Sequence, residues 1–577
     1  MKILVFVVFV FVFNNSAFSS TDPLMVIETS FSPSSTVLSE SEKYLVIGDD
    51  SHYQLWNLEE ERKILEGDYT TKVRNWLSGA TINEGSGFLL IEDQNLFLTI
   101  EYRMNDAHFK AFDIRDGSKI WENRELKLGI SWFRNLLPLL QSASQNREID
   151  ISIVGSNTDQ NSSNRIISAH AGMVSNDPAI GRLIHYVEEL DALVVNGHQG
   201  LQKVALSDGQ LSWIQEGITS VIGEVLYVAA SGNLVVFSVH SSEISGLVSR
   251  PEIYHIHSDD GSIIWTEQYI GNYRPESSYI LGDNVLVTDF FGLVVLDLTT
   301  GKKIDNEINE SYSRAEDALR VLTRFQSDEP IETITTKPLF NDQQEFYYVV
   351  GTHRGHSHPM TGNKVLQKVD PIKGGFVYQA EDIGGNQETP VLKNLHDQIL
   401  YIKMARRNQT FIHGVNAETG EILFTTDRIR NRHDTDFDPF YVLGSTIVDL
   451  SSTGIFFYDR MSGNQIGEVS FNDLDIGRLN TYFTYEDGFV IVGGRGIAFT
   501  DVNGNLKHSE RIGEILSFNE TNDRLYLRGQ REMKILDKSN FNEINSLAYQ
   551  DNEFIVKGDM GIYWLYIQGR TIKVFSM

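Results

Sequence analysis

Residues 250–269 read RPEIYHIHSDDGSIIWTEQY: an apolar alternation, then Asp260-Gly261, then a short apolar run that ends on Trp265. Nearly the same phrase stands at 112–121 as FDIRDGSKIW and at 204–213 as VALSDGQLSW. In each, a strand-like segment meets an Asp-Gly pair, and glycine accepts the positive φ that a tight hairpin imposes on one of its central residues. The phrase reads as a β-hairpin, and its recurrence as a repeat.

Further copies are LDLTTGKKI around Gly301, VDPIKGGFVY around Gly374, VNAETGEILF around Gly420, YDRMSGNQIG around Gly463 and a shortened TDVNGNLKH around Gly504. Degenerate copies without the glycine stand near each end, WNLEEERKIL from Trp56 and LDKSNFNEI from Leu536. From Gly117 onward the glycines are spaced by 92, 52, 40, 73, 46, 43 and 41 residues. One four-stranded propeller blade takes roughly 40 to 50 residues. On that scale 92 reads as two periods with one unrecognised copy, and 73 as one period plus an insertion. The expected fold is all-β, a single propeller of eight four-stranded blades with seven as the alternative, both chain ends completing one blade.

Runs such as KYLVIGDD from Lys43, ALVVNGHQG from Ala192, FYYVVGTH from Phe346 and GFVIVGGRGIAF from Gly488 read as the inner strands of successive blades. Two segments break the pattern. SRAEDALRVLTRF at 313–325 pairs Ser313 with Glu316 as a capping box and carries one apolar face, which predicts a helical insertion over 313–326. ISWFRNLLPLLQ at 130–141 predicts a second, broken or kinked at Pro138.

The unit D-x-x-x-G-x-x-x-W between two strands resembles the repeat of the pyrroloquinoline-quinone-type (quinoprotein alcohol dehydrogenase-like) β-propellers. The resemblance runs from about Lys43 to the C-terminus and implies a ring, usually of eight blades, with the tryptophan packed between them. Trp121, Trp213 and Trp265 keep that residue, Tyr378 and Phe424 replace it, and Asp305 and Gly467 abandon it. Family members that act as dehydrogenases hold the quinone with calcium, an adjacent cysteine pair, a tryptophan floor and a catalytic aspartate. This chain has no cysteine, and spacing singles out no aspartate as the base.

The absence of cysteine also removes disulfides, thiolate zinc, iron–sulfur clusters and a cysteine nucleophile. A formal charge of −29 argues against binding phosphate backbones or anionic lipid heads, which repel an acidic surface. It suits solubility, divalent cations or a basic partner. At the N-terminus, Lys2, an apolar run from Ile3 to Phe13 and the small-x-small triplet Ala17-Phe18-Ser19 have the layout of a secretory signal peptide, residues 1–19. The run is about half of the ~20 residues a spanning helix needs. The propeller is then expected over 20–577 in an exported protein, periplasmic or extracellular, or luminal in a eukaryote. In that last case Asn161, Asn309, Asn408 and Asn519 would head glycosylation sequons.

Three stretches carry residue types suited to chemistry. In GTHRGHSHPM, His353, His356 and His358 form H-x-x-H-x-H, close enough for neutral imidazoles to share a borderline metal in a loop, although no fourth ligand can be named. The same stretch nears a nucleophile elbow at Gly355-His356-Ser357-His358-Pro359, but the closing glycine and the following helix are missing. Asp434, Asp436 and Asp438 open like a calcium loop, with Pro439 where glycine belongs and Ser445 where glutamate does. Gly493, Gly494 and Gly496 lead into another strand rather than a helix, so they read as a hairpin turn and not a phosphate cradle. The recurring residues build blades. The chain therefore reads as a non-catalytic interaction platform for a protein, peptide or glycan, needing no cofactor. A quinone-dependent dehydrogenase using pyrroloquinoline quinone with calcium is the alternative. Edman sequencing of protein from the native host is expected to start at Ser20, and an intact Met1 in a cytosolic fraction would contradict the leader.

Overall fold

The computed structural model describes residues 23–576 apart from 70–83, 129–167, 176–183, 239–251, 269–276, 305–329, 355–362, 431–439 and shorter breaks of one to five residues in other connections. Both expected helical insertions and the leader lie outside the described residues. What is described is almost wholly strand, arranged in eleven small antiparallel sheets. In chain order these blades span 35–68, 84–123, 184–215, 222–268, 277–297, 330–384, 389–430, 440–470, 479–510, 515–548 and 553–576, and are numbered 1 to 11 here. Blade 5 has three strands among the described residues, and Ser168–His170 and Met173–Ser175 extend the edge of blade 2.

Period-two alternation explains why the blades stand side by side. All six residues of Ala192–Gly197 are buried. Leu193 and Val195 pack into the core shared with blade 2, while Val194 packs into the core shared with blade 4. A strand apolar on both faces needs a partner sheet on each, and stacking in a ring supplies both. The same split recurs in blade 9, where Phe489 and Ile491 face blade 8, and Val490 and Val492 face blade 10.

Eleven apolar clusters join blade to blade, ten of them between neighbours in the chain and one between its two ends. The last two close the circle: Tyr526, Met533 and Ile535 of blade 10 meet Tyr566 and Phe575 of blade 11, whose Leu565, Ile567 and Val574 meet Leu45 and Ile47 of blade 1. Met25–Glu28 pairs with Thr571–Ser576 and becomes the fourth strand of blade 11, so the two chain ends share one sheet. Glu42, fully buried, accepts the Tyr563 backbone N–H at 2.7 Å across that seam.

The expected eight or seven blades are thus corrected to eleven sheets. Among the described residues the step from Gly117 to Gly209 is a single blade step, from blade 2 to blade 3, with no further sheet between them. The degenerate copies at Trp56 and Leu536 are full blades, 1 and 10. The runs read as inner strands are the second strands of their sheets. The first strands lie innermost, 184–187 against 222–228, 222–228 against 277–281, and 389–396 against 440–443.

The repeated phrase is the joint between blades. Its glycine N–H closes the turn onto the carbonyl four residues back, as in Gly117 to Asp113 and Gly261 to His257. In nine blades the third and fourth strands slip by one residue just before the aromatic position, a bulge that re-aims the following side chain. The aromatic then lies on the turn glycine of the next blade. A Cβ on Gly209 would sit 2.3 Å from Trp121, on Gly261 2.6 Å from Trp213, on Gly301 2.4 Å from Trp265, and on Gly463 2.2 Å from Phe424. Each indole N–H donates to the carbonyl three residues before that glycine: Trp121 to Leu206 (2.6 Å), Trp213 to Ser258 (2.9 Å) and Trp265 to Leu298 (2.7 Å). The Tyr378 hydroxyl reaches the matching carbonyl of Ala417 at 3.3 Å.

Two substitutions test this joint. At Gly261, with φ +70°, alanine adds left-handed strain and a clash with Trp213, an expected loss of about 2–4 kcal/mol. Trp213→Phe keeps a ring but loses the N–H donor, and Lys203 Nζ still serves the Ser258 carbonyl at 2.8 Å, so the expected loss is only about 1 kcal/mol. Urea denaturation midpoints measure both, and a Gly261→Ala chain as stable as the parent would contradict the joint.

Candidate functional site

Within each blade the first and third strands run one way, the second and fourth the other. Turns from first to second and from third to fourth strand therefore share one end of the ring. At that end no connection between described strands exceeds six residues, the longest being 257–262. The connections 69–83, 124–183, 239–251, 355–363 and 431–439 all leave and re-enter at the opposite end. The long end carries the chain's variable material, and the short end carries its repeat.

On that long end, blades 6 to 8 gather charge close to the axis. Glu388 immediately precedes the inner strand Thr389–His396 of blade 7 and is 5% exposed. Its Oε2 accepts the Gly385 backbone N–H at 2.7 Å. Its Oε1 faces two guanidinium groups, Arg428 at 3.5 Å and Arg406 at 3.9 Å. Arg406 ends the strand Ile399–Arg406, and Arg428 comes just before Ile429–Arg430, which pairs with Gln409–Asn416. That pairing brings the two arginines to one carboxylate. The Arg428 guanidinium lies over the Phe411 ring, 4.7 Å from its centroid. Lys364 of blade 6 is fully buried, and desolvation holds its ammonium below the usual lysine range while Glu388 opposes that shift. Burial likewise holds the His413 imidazole below its ordinary value, and its Nδ1 meets the Thr425 hydroxyl at 2.8 Å.

A second pair ties blade 7 to blade 8. Lys403 Nζ lies 2.5 Å from Asp449 Oδ1, both side chains essentially without solvent exposure. These charges add to the apolar clusters that join blades 6, 7 and 8.

The residues singled out in the sequence fare differently. His353 stands in Phe346–Arg354, opposite Ile331, while His356 and His358 lie outside the described residues, so the three are not brought together on described structure. Ser357 and Asp434, Asp436 and Asp438 also lie outside it. Gly493 and Gly496 pair across a hairpin, as expected. Among the described residues no group of three or more His, Asp or Glu is arranged to hold a metal ion, and no helix is long and apolar enough to cross a membrane. The charge cluster was missed. Its signal in the sequence is two arginine-rich runs in an acidic chain, KMARRNQ at 403–409 and RIRNRH at 428–433.

No protein-family model matches this chain, and no curated protein sequence matches it. Among solved structures it is similar to BamB from Moraxella catarrhalis, at 16% identity over 60% of this chain and 91% of that one, TM-score 0.30. It is also similar to the computationally designed Ika8 protein, at 14% identity over 64% and 100%, TM-score 0.31. A third is the C-terminal WD40 domain of Sif2, at 9% identity over 60% and 92%, TM-score 0.30. Likenesses this loose carry no weight here, and the β-propeller assignment rests on the eleven sheets and their packing.

The buried pair makes a sharp prediction. Asp449→Ala removes the carboxylate that faces the buried Lys403 ammonium and is expected to cost about 3–5 kcal/mol, whereas Glu122→Ala, which releases exposed Lys119 and Arg124 and the His108 imidazole, should cost under about 1 kcal/mol. Equal losses in urea denaturation would show that the Lys403–Asp449 pair does not bear on the blade 7–8 joint.

Proposed function

We propose that this chain is an exported, non-catalytic β-propeller with pyrroloquinoline-quinone-type repeats, and that it binds a protein, peptide or glycan partner through the end of the ring that carries the long connections. The observation behind this reading is the asymmetry of those connections. In repeat architectures insertions cluster on one face, often the binding face, while the scaffold holds them in fixed relation. The repeated residues themselves serve turns and packing, which leaves recognition to the rest. The leader-like N-terminus supports export, and the acidic surface disfavours nucleic acid as the partner.

Site-specific photocrosslinking separates the two ends. A benzoylphenylalanine at Asp68 or Gln409, on the long end, is expected to yield adducts in the exported fraction of the native host. The same group at Asp116 or Glu418, in short turns of the other end, is expected to yield none. Adducts confined to the short end, or divided equally, would contradict the assignment.

A further inference from the structure

We infer that Arg406 and Arg428, held on Glu388, form a clamp for a carboxylate carried by an acidic segment of a partner polypeptide. This deepens the binding-platform reading and rests on it. Three features of the cluster point to a ligand of this charge.

The first is an imbalance. Two guanidinium groups, 45% and 48% exposed at the side chain, share one oxygen of one buried carboxylate, at 3.9 and 3.5 Å. Those distances are long for charge-assisted hydrogen bonds, and each guanidinium carries five N–H donors. Among the described residues Glu388 is the only carboxylate either arginine meets. Lys364 is a third basic group within electrostatic reach of Glu388, Asp427 precedes Arg428 in the chain and acts on Tyr458, and the Lys403–Asp449 pair cancels within itself. The spot is basic in a chain whose net charge is −29.

The second is preorganisation. Glu388 is fixed by the Gly385 N–H, and the Arg428 plane rests on Phe411, so the side chains lose less freedom when a ligand arrives. The planar forks of two arginines suit bidentate recognition of a carboxylate. The third is place. The clamp opens on the end with the long connections, beside the innermost strand of blade 7, and every residue in it belongs to the described scaffold.

The test uses fluorescein-labelled hexaglutamate and the full mature chain, read by fluorescence anisotropy at low and moderate salt. Saturable binding that weakens as salt rises is expected. Arg406→Ala and Arg428→Ala, each of which leaves Glu388 one arginine, should each lower the affinity several-fold with thermal midpoints close to the parent, and the double variant carrying Glu388→Gln as well should lower it at least tenfold. Arg124→Ala, an exposed arginine on blade 2, should leave it unchanged. No saturable binding by the parent chain, or an equal loss from Arg124→Ala, would overturn the clamp. Displacement of hexaglutamate by a sulfated oligosaccharide at tenfold lower concentration would overturn the peptide assignment. Failure here with crosslinks still confined to the long end would sink the clamp alone; crosslinks on the short end would sink the platform reading itself.

Discussion

An aromatic ring laid on the α-carbon of a glycine in the next blade joins two problems into one. The hairpin needs positive φ at that position, and the neighbouring blade needs a surface without a side chain. One residue type meets both demands, so turn geometry and blade packing are set together at Gly209, Gly261, Gly301, Gly420 and Gly463. The exceptions show which demand comes first. Glu61 and Phe541 hold φ of 51° and 60° without being glycine. At Phe541 the facing residue is no longer a ring seated on a bare α-carbon: His508 of blade 9 stacks on the Phe541 ring itself, nearly parallel, with centroids 5.3 Å apart. The turn conformation persists, and packing adjusts around it.

This joint is also why the fold was legible and the blade number was not. The hairpin phrase is local, and its copies can be read directly; ten of them, with one blade shared by the chain ends, already make eleven. Two things hid the number. The resemblance implies eight blades, and the 92-residue step reads as two periods because a long connection and a missing repeat look alike in sequence. Nothing local tells whether an extra stretch between glycines builds a new sheet or leaves one end of the ring and returns. That distinction is set by strand pairing across the step, with Ile184–Val187 opening blade 3 directly after blade 2.

The charge cluster was illegible for a different reason. Lys364, Glu388, Arg406 and Arg428 come from two blades, and only sheet pairing places them around one carboxylate. Histidines crowded in sequence at 353–358 drew attention because metal sites are often read from spacing, whereas His353 lies within a strand as a paired residue. In a repeat ring, proximity in sequence mostly yields a hairpin, and the arginines meet Glu388 through pairing between separate strands of blade 7. The seam at which the ring closes obeys the same logic: Met25–Glu28 and Thr571–Ser576 are at opposite ends of the chain and share a sheet, with the Glu42 carboxylate on the Tyr563 N–H holding blade 1 to blade 11.

A closed ring of eleven blades is the claim on which the rest depends, because it sets which residues face the axis and which connections share an end. Single-particle electron cryomicroscopy of the full chain, at a resolution that separates strands, tests it most directly. One ring with eleven radial sheets around a central opening is predicted, the blade at the seam containing strands from both chain ends. A ring of seven or eight sheets, or two separate smaller rings, would contradict it.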